Sequence, residues 1–283
     1  MASAVLSGVI DALNTSTPPG DVAVPGRFIA CVKREVSVQR LKKTYGDKVE
    51  VCSHGHVSAV SQADVVILGC KPQLCEDILG AKGMREALQG KILISVLAGK
   101  TIAQIQEFVS TPSTLVIRAM PNTPCKIRQG MTVIAFPPTS SPSSSVESLA
   151  ITPSETTKTS IQWLFEQTGR ALILEEKHLD ACTALSGSGP AFACVMLEAL
   201  TDGGVMMGLP YVVAQELAAQ TMQGAARMVL AGDHPAQIRN SVSTPGGCTI
   251  GGLLVMEDGK IRSTIARSIQ EATNIASSLG NKK

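Results

Sequence analysis

Asp64-Val65-Val66-Ile67-Leu68-Gly69 and Lys91-Ile92-Leu93-Ile94-Ser95-Val96 are the two stretches that decide the fold. Each is a short apolar run without alternating polar positions, the pattern of a strand buried on both faces. The residues between them, from about Gln73 to Leu88, have helical spacing. The alternation continues outward in both directions. Phe28-Ile29-Ala30-Cys31-Val32 reads as a strand, a helix follows through Leu41, and Val49-Glu50-Val51-Cys52 reads as the next strand. Downstream, a helix starts at Thr101, and Thr114 to Arg118, Met131 to Phe136 and Arg170 to Leu174 read as further strands. Short doubly apolar strands alternating with helices predict a parallel α/β sheet covered on both sides.

Everything beyond Leu174 reads helical, so the spacing predicts two domains, an α/β domain over 1–174 and an α-helical domain over 175–283. Pro137 to Thr159 is rich in Ser, Thr and Pro and reads as a surface loop. Ala2, Val5, Leu6, Val9, Ile10 and Leu13 fall on one helical face, so the chain opens on a helix.

Composition narrows the function classes. The 283 residues suffice for two cores, and 44% hydrophobic content with 17% charge describes a folded globular chain. A net charge of +2 and 3% aromatic residues argue against nucleic acid as a partner. Pro190 to Leu209 is the most apolar long stretch, but Glu198 and Asp202 inside it favour a core helix over a membrane span. No basic n-region precedes the first apolar residues, so no secretory signal is read, and a cytoplasmic setting is expected. The eight cysteines include no C-x-x-C pair and no zinc-ligand spacing, so reduced thiols are expected and no metal.

Two glycine-rich segments each open an apolar helical pattern. They are Ala184-Leu185-Ser186-Gly187-Ser188-Gly189-Pro190-Ala191 and Ser243-Thr244-Pro245-Gly246-Gly247-Cys248-Thr249-Ile250-Gly251-Gly252. Small residues leave main-chain N–H groups bare, and a helix N-terminus offers unpaired donors to an anion such as a carboxylate. Tight turns that let helices pack closely are the plain alternative.

In these segments, and in Arg118-Ala119-Met120-Pro121-Asn122-Thr123-Pro124, Ile94 to Gly99, Ala63 to Gln73 and Glu198 to Val205, the chain resembles pyrroline-5-carboxylate reductases. The resemblance implies a Rossmann-like doubly wound parallel sheet followed by an all-α dimerisation domain. It implies reduction of the C=N bond of 1-pyrroline-5-carboxylate to L-proline, with NADPH as cofactor and NADH as second candidate. Met1 to Gly8 looks like the family's first helix, which in the family directly follows a strand and a glycine turn. Roughly ten residues of strand and turn are therefore implied ahead of Met1. A chain without them is expected to hold cofactor weakly, to be less stable and to leave two sheet edges unpaired.

The resemblance places the substrate carboxylate on Thr244, Gly246, Gly247, Cys248 and Thr249, with Thr249 as the catalytic contact at the ring nitrogen and Cys248 a spacer. Thr249 also reads as an N-terminal cap. Glu176 reads first as a surface acid matched to a helix dipole and second as a substrate-proximal acid. Ser241 stands where many members carry Asn. On the cofactor side, Lys33 and Arg34 follow a strand where such folds meet the adenosine ribose, and a basic pair there favours a 2′-phosphate. Two solvated basic residues are the alternative. His56 lies where relatives carry Asn near the adenine, and it also reads as solvated. Gly69, Cys70, Lys71 and Pro72 end one strand, Val96, Leu97 and Ala98 the next, and Asn122 and Thr123 the one after.

Val195, Leu197, Leu200, Val205, Met206, Val212, Val213, Leu217, Met222 and Met228 make the helices from Pro190 to Leu230 apolar on more than one face, which predicts a homodimer or higher homo-oligomer. Two rivals stand beside this reading. One is a related reductase of another imine or a β-hydroxy acid; such enzymes commonly use a helix-borne Lys, and none stands in the Pro190 to Val205 helix. The other is a shortened, non-catalytic form serving as a dimeric binding module.

Overall fold

The computed structural model describes residues 1–15, 17–20, 22–138 and 151–281. They form two compact units, Met1–Gly187 with Thr273–Lys283, and Ser188–Ala272.

In the first unit the chain begins with α1 (Ala2–Thr15), then β1 (Ile29–Cys31), α2 (Glu35–Tyr45), β2 (Glu50–Cys52), α3 (His56–Ser61) and β3 (Val65–Leu68). It continues through α4 (Cys75–Leu79), α5 (Met84–Leu88), β4 (Ile92–Ser95), α6 (Ile102–Val109), β5 (Leu115–Pro121) and β6 (Gly130–Ala135). Next come α7 (Glu155–Glu166), β7 (Gly169–Ile173) and α8 (Leu179–Cys182), which runs into a π-helical turn over Thr183–Gly187.

The strands form two sheets, β1-β2 and β3-β4-β5-β6-β7. Among the described residues, β1 pairs with β2 alone and β3 with β4 alone, the expected pair of open edges. In the larger sheet successive residues serve opposite cores. Ile94 and Ile117 join Val5, Val9 and Phe165 beneath α1 and α7. Leu93 and Val116 join Leu79, Leu88, Ile105 and Val109 beneath α4, α5 and α6. Each strand is therefore apolar at consecutive positions because it is half of two interiors.

Three expectations change. The helix expected over Gln73 to Leu88 is broken into a 3-10 turn (Pro72–Leu74), α4 and α5. Gly80 ends α4, and Gly83, at φ +85°, starts α5 in the left-handed region that favours glycine. The sheet is not wholly parallel: β6 runs antiparallel to β5, with Ala119 opposite Ile134. The residues between them make only a short 3-10 turn (Thr123–Ile127), with no crossover helix to carry the chain back to the other end of the sheet. Of the loop expected over Pro137 to Thr159, residues 139–150 lie outside the described residues, and Glu155 to Thr159 are the first turns of α7, capped by the Ser154 side chain accepting from Thr157 N–H at 3.1 Å.

The second unit holds α9 (Gly189–Met206), α10 (Tyr211–Leu230), α11 (Pro235–Ser241), α12 (Cys248–Asp258) and most of α13 (Ile261–Asn281). Its interior is thin. Thr201 is the buried residue of α9, and Ala214 and Ala218 are those of α10. Val195, Met206, Val212, Leu217 and Val255 are exposed at 64%, 88%, 72%, 53% and 72%. The run Glu176–Met206 is also long and apolar enough to cross a membrane by length and composition.

Candidate functional site

Leu68 on β3 is in register with Ser95 on β4, and Ser95 with Arg118 on β5. The segments after β3 and β4 therefore start side by side at the carboxyl edge of the sheet, where open α/β folds hold their ligands, and β5 runs on three residues beyond Arg118 to Pro121. Gly69, Cys70, Lys71 and Pro72 follow β3, and Val96, Leu97 and Ala98 follow β4. Asn122 and Thr123 follow β5.

These residues are not equivalent. A Cβ on Gly69 would lie 2.9 Å from the Cβ of Ala2, so the start of α1 comes directly against the end of β3. The first helical bonds of α1 run from Ala4 and Val5 N–H to the Met1 carbonyl, so the Ala2 and Ser3 N–H groups lie ahead of the helical ladder. Tyr45 holds this end in place: its hydroxyl donates to the Ser3 carbonyl at 3.2 Å and shares a 2.7 Å contact with the Ser7 hydroxyl. Leu97 is buried at 3%, whereas Ala98, Lys71 and Thr123 are exposed. Asn122 is committed internally, its Nδ2 donating to the Ser186 carbonyl at 3.0 Å and its Oδ1 accepting from Met131 N–H at 2.9 Å.

Lys33 and Arg34 leave β1, exposed, and Arg34 takes the position before α2 without capping it. His56 opens α3, exposed, after Gly55 at φ +81°. These two loops leave neighbouring ends of the β1-β2 pair.

Glu176 is not a free surface acid. Its Oε1 accepts from Arg118 Nη1 at 2.9 Å and from Ile102 N–H, at the start of α6, at 2.7 Å. The carboxylate thus closes a helix N-terminus and neutralises a buried guanidinium at once. Arg118 is the residue that sequence reasoning passed over. Its side chain is 4% exposed, and its Nε and Nη2 lack hydrogen-bond partners. The signal was an arginine at the end of a run that is otherwise apolar.

In the second unit, Thr244 to Gly247 form a tight turn, Gly247 N–H donating to the Thr244 carbonyl at 3.0 Å. Gly246 sits at φ +68°. Gly247 precedes α12, and a Cβ there would lie 2.4 Å from Thr244 Oγ1, so only glycine keeps this shape. The first helical bond runs from Gly251 N–H to the Gly247 carbonyl at 3.5 Å. The Cys248, Thr249 and Ile250 N–H groups before it point out of the helix start as donors. Cys248 is exposed and Thr249 half-buried. Ser241 spends its hydroxyl on the Ile238 carbonyl at 2.8 Å. No cluster of His, Cys, Asp and Glu fit for a metal occurs among the described residues.

Known proteins sort this arrangement. A family model described as pyrroline-5-carboxylate reductase dimerisation matches residues 176–279, and one described as NADP oxidoreductase coenzyme F420-dependent matches residues 1–99. The chain is 48% identical over 286 residues to a pyrroline-5-carboxylate reductase of Schizosaccharomyces pombe, covering 99% of this chain and 96% of the relative. The structure of a pyrroline-5-carboxylate reductase from Coxiella burnetii matches with a TM-score of 0.81 at 26% identity, covering 100% of this chain and 95% of that one. The Plasmodium falciparum pyrroline carboxylate reductase with NADP bound has the same fold, with a TM-score of 0.77 at 23% identity over 98% of this chain and 94% of that one. From the sheet edge to the glycine turn before α12, the matches run the length of the sequence, and the chain belongs to the pyrroline-5-carboxylate reductase family.

Proposed function

We propose that this protein reduces the C=N bond of 1-pyrroline-5-carboxylate to give L-proline, using NADPH. The observation that carries the reading is the near-full-length identity to the Schizosaccharomyces pombe reductase. When bound, the nicotinamide supplies the hydride, so the protein needs only to hold, orient and neutralise.

The donor set fits the cofactor. Lys33 and Arg34 are exposed side by side after β1, matching the charge of a ribose 2′-phosphate. His56 takes the adenine side. The Ala2 and Ser3 amides at the start of α1, which comes against Gly69 through Ala2, suit an anion. Gly69 to Pro72, Val96 to Ala98, and Thr123 provide the main chain along the carboxyl edge, and Asn122 fixes the last of these turns from within.

On the substrate side, Thr244 and Gly246 shape the turn, and Gly247, Cys248 and Thr249 present main-chain donors to the substrate carboxylate. The Thr249 hydroxyl contacts the ring nitrogen, where charge changes as the imine becomes an amine. Cys248 is a spacer. Glu176 acts through Arg118 and α6, and Ser241 acts as a helix-end residue. The substrate-binding and dimerisation functions belong to 175–283, and the dinucleotide function to 1–174.

The assembly is a homodimer. The support is the thin interior of α9 and α10 beneath exposed Val195, Met206, Val212 and Leu217. The dimerisation family model covers these same residues. Glu198 and Asp202 within the run favour a second copy over lipid as the partner of this face. Eight free thiols favour a cytoplasmic setting. NADPH oxidation followed at 340 nm with and without pyrroline-5-carboxylate tests the reading. Substrate-dependent oxidation supports it, and NADPH binding without turnover would favour a non-catalytic binding module.

A further inference from the structure

Cys31 closes β1, Cys52 closes β2, and the two are paired in register on adjacent parallel strands. Neighbouring strands lie about 4.8 Å apart, within the Cα separation that a disulfide spans. The two sulfurs already touch, the Cys52 thiol donating to Cys31 Sγ at 3.1 Å. Cys31 is exposed, so a small oxidant reaches it. The strands joined here are three residues each. A pair this short is a region of low local stability, where a covalent link has the most to restrain.

We propose that Cys31 and Cys52 are a reversible thiol–disulfide site, oxidised by a low-molecular-weight disulfide such as glutathione disulfide, whose bridge staples β1 to β2. The Cys31 thiolate attacks the external disulfide, forming a mixed disulfide and releasing one glutathione thiolate. The Cys52 thiolate then attacks Cys31 Sγ, forming the internal bond and releasing the second. Both protein protons end on the two released glutathiones, and the protein loses the two electrons the glutathione disulfide gains. Desolvation of its sulfur by burial pushes the Cys31 thiol up to about 12. The first attack is therefore slow at neutral pH and accelerates as pH rises. The bridge lies two residues ahead of Lys33 and four ahead of His56, so it fixes the roots of both loops.

The test uses the full chain, reduced with dithiothreitol, desalted, exposed to glutathione disulfide at pH 8 and trapped with N-ethylmaleimide. Peptide mapping should find Cys31 linked to Cys52, with the other six thiols alkylated and the link reversed by dithiothreitol. Cys52→Ser should instead accumulate a glutathione adduct at Cys31. Amide exchange in Ile29–Cys31 should slow by about tenfold or more on oxidation, as a restrained local opening requires. Both readouts are independent of cofactor binding, so they stand or fall apart from the proposed activity. A stable adduct without a bridge in the unmutated chain, bridging of other cysteines, full alkylation of Cys31 and Cys52, or unchanged exchange after bridging would overturn the proposal.

Discussion

Arg118 Nη1 and Glu176 Oε1 meet at 2.9 Å, with the arginine side chain 4% exposed and the acid 25%. The pair ties the end of β5 to the approach to α8, and the same oxygen holds the start of α6 through Ile102 N–H. Removing the carboxylate leaves a buried guanidinium without its counter-charge. Breaking a fully buried pair costs about 3–5 kcal/mol, and the part of Glu176 in water reduces this. Glu176→Ala should therefore lose about 2–3 kcal/mol in urea unfolding, and Glu176→Gln, which still accepts both hydrogen bonds, about half of that. No loss in Glu176→Gln would show that the charge does not matter here, and equal losses in the two variants would show that the hydrogen bonds do not.

Gly247 and Thr244 set the second test. A methyl group at Gly247 meets Thr244 Oγ1 at 2.4 Å and the Thr244 carbonyl at 3.1 Å, so the turn must shift. The amides of Cys248 and Thr249 move with it. Gly247→Ala should raise the KM for pyrroline-5-carboxylate by about tenfold or more, the equivalent of one or two hydrogen bonds to a charged group, with the KM for NADPH unchanged. An unchanged substrate KM would remove this turn from the carboxylate site.

Lys33 and Arg34 distinguish the two nicotinamide cofactors. Replacing both with Ala should weaken NADPH by about ten- to a hundredfold, since hydrogen bonds to charged groups contribute about 1.5–3 kcal/mol. NADH, which lacks the 2′-phosphate, should change little. A parallel loss for both cofactors in fluorescence titrations would assign the pair to another role.

The exposed face of α9 and α10 carries the assembly. Val212 is 72% exposed, so an acid there burdens the folded monomer little but places a charge in the proposed interface. Val212→Asp should shift light-scattering mass at micromolar concentration from dimer toward monomer. A dimer that withstands this change would move the interface elsewhere.

Gly8 shows how closely α1 is seated. A Cβ there would lie 2.7 Å from the Gln167 carbonyl and 2.8 Å from Thr168 Cγ2. Gly8→Ala should destabilise the protein by about 1–3 kcal/mol despite the better helix former, because overpacking outweighs propensity at a buried contact. A rise in Tm would contradict this packing.

Much of the fold was legible because doubly buried strands advertise themselves. Leu93 and Ile94, or Val116 and Ile117, are adjacent in sequence and serve opposite cores, and the shortness of each apolar run told it from a buried helix. The break between α4 and α5 was signalled by Gly80 and Gly83, but the apolar periodicity on either side outweighed two glycines. The antiparallel β6 was illegible, since direction depends on how the short turn after Asn122 closes. For the site, Gly246 and Gly247 were legible as turn residues because their backbone demands are local. The Arg118–Glu176 pair was not, because its partners are 58 residues apart and meet only once the sheet is built.

The most direct measurement is the NADPH absorbance at 340 nm with the full chain and pyrroline-5-carboxylate, with L-proline identified in the products. Substrate-dependent loss of NADPH is expected, with one proline formed per cofactor oxidised. A protein that binds both NADPH and pyrroline-5-carboxylate yet forms no proline would contradict it.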